Sequence, residues 1–344
     1  MRDLVLGFEI GGTVKAFKKL VANGYSRDIR SVAEIIEVPL IGPDPNQVLL
    51  KNHFGGVNAS DLNISGGVYF SDGIFPFDLG CESIGEVVAV GENVDDFQVG
   101  DFAISPNLGS AFSEYLCRES EEFYKVPLCT PGVMSLINAG VTASVGLDVV
   151  GEMGSGETVL VTAAAGSVGS WVVQLAKHAG NHVIGTCSTA EKGEHLKRLG
   201  CDRVVLYRDE DLGTVLSEEY PDGVDLVFEQ VGQGTFDACV DNIAQRGRIL
   251  ICGFVSEYKS GPQEIMSPRI YHKLLWKSAS IRAFLFIDWP DDVPVHMDNN
   301  LKLVIDGIVD PLVDQTEFLG VEDAVNAVEF LHSGKNIGKV ILKY

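Results

Sequence analysis

Basic residues are scarce in this chain of 344 residues: Lys and Arg number 26 against 48 Asp and Glu, a formal charge of −22. The summed field repels nucleic acid and anionic lipid, which argues against both as partners. An anionic ligand therefore needs a local cluster of donors, and the acidity itself reads as solvated surface. Long apolar runs are missing too: residues 281–287 fall far short of the ~20 needed to span a bilayer. Seven cysteines (Cys81, Cys117, Cys129, Cys187, Cys201, Cys239 and Cys252) include no pair at zinc-knuckle or redox spacing. An odd, scattered set fits reduced thiols. Glu9 and Lys15 interrupt any secretory core after Met1, so cytoplasm is the expected compartment. Internal repeats and low-complexity stretches are absent. What remains is 46% hydrophobic and 22% charged with 38 glycines, a globular composition sized for about two domains at ~150 residues each.

The chain changes character near residue 130. Before it, short apolar or alternating runs (17–22, 32–38, 48–51, 83–90, 101–104) are broken by Gly, Pro, Asn and Asp, which predicts a mostly β domain. From residue 140 the rhythm is strand, helix, strand. Apolar runs at 158–162, 182–187, 204–207, 224–228 and 248–252 alternate with helical patterns at 167–179 and 191–199, each closed by glycine. Such runs predict a parallel, doubly wound sheet covered on both faces. A helix near 321–331 and a strand at 339–342 cannot bury a core alone and should pack back onto the β domain. The expected division is 1–140 with 291–344 as the β domain, and 141–290 as the α/β domain.

The run 158–162 leads into Ala163-Ala164-Ala165-Gly166-Ser167-Val168-Gly169 and then a helix. Ala164, Gly166 and Gly169 hold the glycine positions of a dinucleotide fingerprint. That turn needs a tight bend, close approach of backbone to pyrophosphate, and N–H groups facing the anion. Its place inside a βαβ unit supports the reading. Ala165, Ser167 and Val168 complete the contact set. A second glycine cluster, residues 7–13, looks like a sugar-kinase phosphate turn, but nothing downstream supplies the acidic partners that chemistry needs. An NAD site ends its second strand in a carboxylate that binds the ribose diol. Here the strand ends Cys187-Ser188-Thr189, with Lys192 close behind and Tyr207 ending the next strand. A hydroxyl, an ammonium and a phenol suit a 2′-phosphate. NADPH is the expected cofactor.

These motifs, with several others, resemble the medium-chain dehydrogenase/reductase family along nearly the whole chain. The others are Gly56-Val57-Asn58-Ala59-Ser60-Asp61-Leu62-Asn63, residues 85–91, Val99-Gly100-Asp101, Leu199-Gly200-Cys201-Asp202 and Gly334-Lys335-Asn336-Ile337-Gly338-Lys339. The likeness is greatest to the zinc-free quinone oxidoreductase and ζ-crystallin branch, in particular its 15-oxoprostaglandin reductase type. It implies a GroES-like β-barrel domain and a Rossmann domain, with the active site in the cleft between them. Zinc-dependent members carry a cysteine in the first motif and Gly-His-Glu in the second. This chain has Asn58 and Ala59, then Gly80-Cys81-Glu82, and a catalytic zinc needs about three converging ligands. No metal is expected.

Without a Lewis acid, the natural reaction is hydride addition to the β-carbon of an α,β-unsaturated ketone. The enolate then needs a hydrogen-bond donor and its α-carbon a proton. Tyr69, eleven residues after Asn58, resembles the proton-donating tyrosine of mitochondrial enoyl reductases; Tyr69 and Asn58 are the catalytic candidates. The resemblance also implies cofactor contacts from Thr142, Gly232, Gly253-Phe254-Val255, Phe284-Leu285-Phe286 and Asn336. Phe70, Phe254, Phe284, Phe286 and Trp289 suit a hydrophobic enone or quinone. An enoyl thioester reductase and a non-enzymatic, NADPH-binding ζ-crystallin-like protein remain as alternatives. The apolar run 279–287, last in the parallel sheet, should lie at an edge that pairs with a second copy in a homodimer.

Overall fold

The structure is a computed structural model that describes residues 9–10, 13–69 and 71–344. Most of the 7–13 glycine cluster, and Phe70, lie outside the described residues. The chain divides into two compact units, Met1–Met134 with Val313–Tyr344, and Ser135–Leu312.

The first unit is the GroES-like β domain. Its long strand Gln47–Val57 pairs antiparallel with Ser83–Val90, with Tyr115–Glu119 and with the C-terminal strand Val340–Lys343. Phe102–Ser105 and Tyr124–Val126 extend the sheet beyond Ser83–Val90. The central position of Gln47–Val57 explains why Val48, Leu49 and Leu50 are all buried in succession. Such a run lacks the alternation of a strand with one wet face. A second sheet orders Ala33–Pro39, Ala16–Ala22 and Phe77–Asp78. The C-terminal helix Ala324–His332 sets Ala324, Ala327 and Val328 on one face. That spacing of three and four makes a helical stripe, which joins Leu20, Val57, Phe112 and Leu342 in one core.

The second unit is a Rossmann domain. Its six parallel strands run Arg203–Leu206, His182–Cys187, Thr158–Val161, Val224–Glu229, Ile243–Ile251 and Ser280–Ala283 across the sheet. The order reverses between Thr158–Val161 and Val224–Glu229, the switch point at which doubly wound sheets bind ligands. Leu160, Ile184, Val205, Val227 and Ile249 form the heart of the core.

Two boundaries differ from the sequence reading. The β domain ends at residue 134, not 140, and resumes at 313, not 291. The reason is local packing. Residues 136–150 coil through two π-helical segments, Leu136–Val141 and Val145–Val150, around a short α turn at Thr142–Ser144. Helix Val293–Ile305 is held to this coil, with Asn300 Nδ2 donating to Ser144 Oγ at 3.1 Å. Farther on, Gln174 exchanges two hydrogen bonds with the backbone of Asp310. The 291–312 segment thus belongs to the Rossmann unit. The edge strand is also shorter than residues 279–287: it spans Ser280–Ala283 and gives way to a 3₁₀ turn at Phe286–Asp288. Among the described residues no helix is long and apolar enough to cross a membrane.

Candidate functional site

In the Rossmann unit, strand Thr158–Val161 ends in a turn tied to its neighbour strand. Ala163 N donates to Thr186 Oγ1, and Ala164 N to Thr186 O. Ala163 takes a positive φ of 48°, and Gly166 precedes the helix Ser167–His178 in extended conformation with no side chain capping it. Its first N–H groups therefore lack side-chain acceptors, and the helix dipole adds positive potential there. Gly169 is obligatory: a Cβ would lie 2.6 Å from Ala163 O and 2.7 Å from Ala164 Cα, so only glycine lets the helix press this close to the turn. Ser167 Oγ is buried without a hydrogen-bond partner. Orphaned hydroxyls are costly, and a pyrophosphate oxygen is the kind of acceptor this one lacks. Ala165 and Val168 lie in the same turn.

The second strand, His182–Cys187, ends in Ser188, which is buried, and Thr189 caps the helix Ala190–Arg198 by accepting from Lys192 N. That fixes Lys192 in the first helical turn. Tyr207 N donates to Cys187 O, which brings the start of Tyr207 beside the strand end, with its ring half exposed. The backbone thus brings Ser188, Lys192 and Tyr207 to one strand end, where Cys187-Ser188-Thr189 includes no carboxylate. At the switch point, Gly232 is held by a buried carboxylate: Glu229 Oε1 accepts from Val231 N at 2.9 Å and from Gly232 N at 3.1 Å. Burial pushes the Glu229 carboxyl up, and those N–H donors oppose the shift. Gly253, Phe254 and Val255 follow strand Ile243–Ile251, with Val255 N bonded to Gln230 O and Phe254 set edge-on to Tyr258.

Five further cofactor candidates are placed as follows. The Phe284 ring is buried and packs edge-on against both Phe228 and Trp289. Leu285 is half exposed and Phe286 begins the 3₁₀ turn. Thr142 Oγ1 donates back to Asn138 O at 2.8 Å, as hydroxyls within helices do. Asn336, in the other unit, donates through Nδ2 to Gly338 O and so stiffens its own turn.

In the β unit, Asn58 follows strand Gln47–Val57 and opens a cluster of polar groups. Lys339 and Glu82 form a buried ion pair, at 1% and 0% side-chain exposure. Lys339 Nζ also donates to Asn58 Oδ1 at 2.7 Å. Asn58 N donates to Asp61 Oδ2 at 2.8 Å, while Asp61 Oδ1 is buried without a hydrogen-bond partner. Burial raises the Asp61 carboxyl to about 7; the Asn58 N–H and the Lys339 charge pull it down and Glu82 adds to the rise. Cys81 Sγ lies 3.6 Å from Asn58 Nδ2. Burial, with Asp61 and Glu82 acting in the same direction, pushes the Cys81 thiol far up, so it stays protonated at neutral pH. Tyr69 stands at the far end of the turn after helix Asp61–Ser65, 47% exposed.

Sequence reasoning missed Lys339 and Asp61 in this cluster and Glu229 in the other unit. A signal for Lys339 was present: it opens the apolar run Val340-Ile341-Leu342, where an unpaired lysine does not belong.

A Rossmann unit and a GroES-like unit in one chain define the scaffold of a pyridine-nucleotide dehydrogenase. Residues 44–145 match the alcohol dehydrogenase GroES-like domain, and residues 167–300 match the zinc-binding dehydrogenase domain. The chain is 39% identical to prostaglandin reductase-3 of Bos taurus, over 98% of this chain and 92% of that one. It is 40% identical to a probable quinone oxidoreductase of Leishmania amazonensis, over 95% and 98%. Among solved structures, Escherichia coli quinone oxidoreductase complexed with NADPH superposes with a TM-score of 0.83 at 25% identity, covering 95% of this chain and all of that one. The chain belongs to the medium-chain dehydrogenase/reductase family.

The zinc in that domain description finds no fitting donor set here. Zinc takes thiolate, neutral imidazole or carboxylate ligands. Asn58 offers an amide and Glu82 is matched to an ammonium, so of these three only Cys81 is the kind of ligand zinc takes. Among the described residues no three His, Cys, Asp or Glu side chains gather as a metal site.

The Asp61 environment sets a pH dependence of stability. Its folded pKa lies above the unfolded value of 3.8, so the fold binds this proton more tightly. Stability from the neutral carboxyl is full below pH ~4 and is lost as pH rises to about 7. Lys339, Glu82, Cys81 and Asn58 face the group. Asp61→Asn keeps an acceptor for Asn58 N–H and cannot ionise. Relative to wild type it should gain up to about 4 kcal/mol between pH 4 and pH 7.5, measured by urea unfolding. A constant difference across that range would show that Asp61 does not titrate there.

Proposed function

We propose that this chain is an NADPH-dependent reductase of activated C=C bonds, as in α,β-unsaturated ketones, or of quinones, and that it works without zinc. The observation that carries the reading is the replacement of a metal-ligand set by an amide, a protonated thiol and an ion-paired carboxylate, in a chain that also carries a dinucleotide turn. NADPH, when bound, supplies a hydride to the β-carbon of the enone. The C=C electron pair shifts to form a double bond between the α-carbon and the carbonyl carbon, and the C=O π pair moves onto oxygen to give the enolate. Asn58 Nδ2 is a donor for that oxygen, and the Tyr69 phenol is the donor of the proton that the α-carbon then takes up. A hydrogen-bond donor aimed at developing charge does here what a Lewis acid does in the zinc enzymes. Ser167 Oγ and the N–H groups around Gly166 to Gly169 receive the pyrophosphate. Ser188, Lys192 and Tyr207 receive the 2′-phosphate. Gly232, Gly253 and Val255 offer backbone along the same strand ends, and Phe254 offers an aromatic wall. The seven free thiols support a reducing, cytoplasmic setting.

Steady NADPH oxidation with a simple enone or quinone tests the reading directly. Lys192→Ala should raise KM for NADPH tenfold to a hundredfold, the ~1.5–3 kcal/mol of a charge-assisted phosphate contact. KM for NADH should not change. An equal loss with both cofactors would place Lys192 in folding instead. Full activity should persist in excess chelator, and elemental analysis should give no stoichiometric zinc; one tightly held zinc per chain would restore the alcohol dehydrogenase alternative. The sheet edge at Ser280–Ala283, with Leu285 and Ile287 exposed just beyond it, supports a homodimer joined edge to edge. Light scattering should give twice the 37.1 kDa of one chain at micromolar concentration. A mass near a single chain would overturn that assembly.

A further inference from the structure

We propose that Lys339 is a positioning residue for this reaction: by holding Asn58 Oδ1 while paired with Glu82, it fixes the Asn58 amide so that Nδ2, the end turned away from the ammonium, serves as a hydrogen-bond donor. The proposal rests on the reductase reading above. The two ends of an asparagine amide have nearly the same shape, so only their hydrogen-bond partners decide which way it points. An ammonium has three donors and no acceptor. With Lys339 Nζ 2.7 Å from Oδ1, the flipped amide would set donor against donor in a buried site. Nδ2 is therefore committed to the opposite side.

Its partners there are poor ones. Nδ2 donates to Gly56 O at 3.3 Å and to Cys81 Sγ at 3.6 Å, a long bond and a bond to a weak acceptor. A carbonyl oxygen gathering negative charge would displace either with a gain. The backbone of Asn58 is held independently by its N–H bond to Asp61 Oδ2. Only the side-chain torsion is left for Lys339 to set.

Lys339 can do this only if it is charged and immobile. Glu82 supplies the charge partner that a lysine at 1% exposure needs. Immobility comes from both sides of the residue. Asp314 N donates to Lys339 O at 2.9 Å, and Val340, next in sequence, pairs with Val57. Gly56 lets the pair through: a Cβ there would lie 2.5 Å from Glu82 Oε2 and 2.9 Å from Lys339 Cε. The side chain is omitted at the one strand position that the ion pair crosses.

A purely structural ion pair makes the competing account, and the two separate by experiment. Lys339→Met with Glu82→Gln removes both charges together, so no unpaired charge stays buried. The double variant should keep the wild-type melting temperature and NADPH dissociation constant. Its kcat for an enone should fall about 10²-fold, the usual loss of one oxyanion donor, with KM changed far less. Adding Asn58→Ala should cause no further loss, because both changes remove the same donor. Wild-type kcat in the double variant, or a loss that multiplies with Asn58→Ala, would overturn the proposal. Should the double variant not fold, the pair Lys339→Arg and Lys339→Gln decides. Arginine only donates and should retain kcat within about tenfold, whereas glutamine, which can also accept, should fall about 10²-fold. Equal kcat in the two would overturn it. If the wild-type protein oxidises NADPH with no enone or quinone, the reductase reading itself fails and this role falls with it.

Discussion

The β unit depends on one buried contact that ties three distant parts of the chain together. Lys339 comes from the C-terminal segment, Glu82 precedes strand Ser83–Val90, and Gly56 lies near the end of the strand between them. Taking both charges out of water costs several kcal/mol per ion in the best accounts, and well-packed apolar residues often do as well or better. Stability alone is therefore a weak reason for the pair. Its geometry is a better one. The tail strand Val340–Lys343 is held in register by its ladder to Gln47–Val57, so the ammonium arrives at Asn58 from a fixed direction.

The same contact explains the chemistry around it. Asp61 and Glu82 both raise the Cys81 thiol, while Lys339 opposes them. Glu82 is ion-paired with Lys339. Asp61 sits apart, with one oxygen occupied by a backbone N–H and the other orphaned, which is why burial dominates its proton affinity.

Much of this was legible in the sequence, and the rest was hidden for identifiable reasons. The Rossmann sheet showed through because parallel strands covered on both faces read as unbroken apolar runs. The phosphate turn showed through because Gly169 is forced by backbone approach. The helix Val293–Ile305 was assigned to the wrong unit because its partners, the π-helical coil 136–150 and Asp310, are decided by tertiary packing. The packing of the Phe284 ring above Gly146 and against Phe228 was not legible, because it depends on how the π-helical coil meets the sheet. Asn58 was visible and Lys339 was not, since 281 residues separate a pair whose meeting depends on how the tail docks.

The acidic composition and the anionic cofactor are reconciled by locality. A chain at −22 sets up an unfavourable field at long range, but salt screens that field over about 8–10 Å. At contact distance the Rossmann unit offers something different at each end of the dinucleotide. The uncapped helix start at Gly166 and Ser167 presents oriented N–H groups and an orphaned hydroxyl, neutral donors that keep their strength whatever the net charge. Lys192 is held in the first turn of its own helix by the Thr189 cap, where the same dipole reinforces its charge. The proposed discrimination between a 2′-hydroxyl and a 2′-phosphate rests on this strand end. A carboxylate there would reward the hydroxyl and repel the phosphate; on that reading Ser188 does neither, and leaves the choice to Lys192.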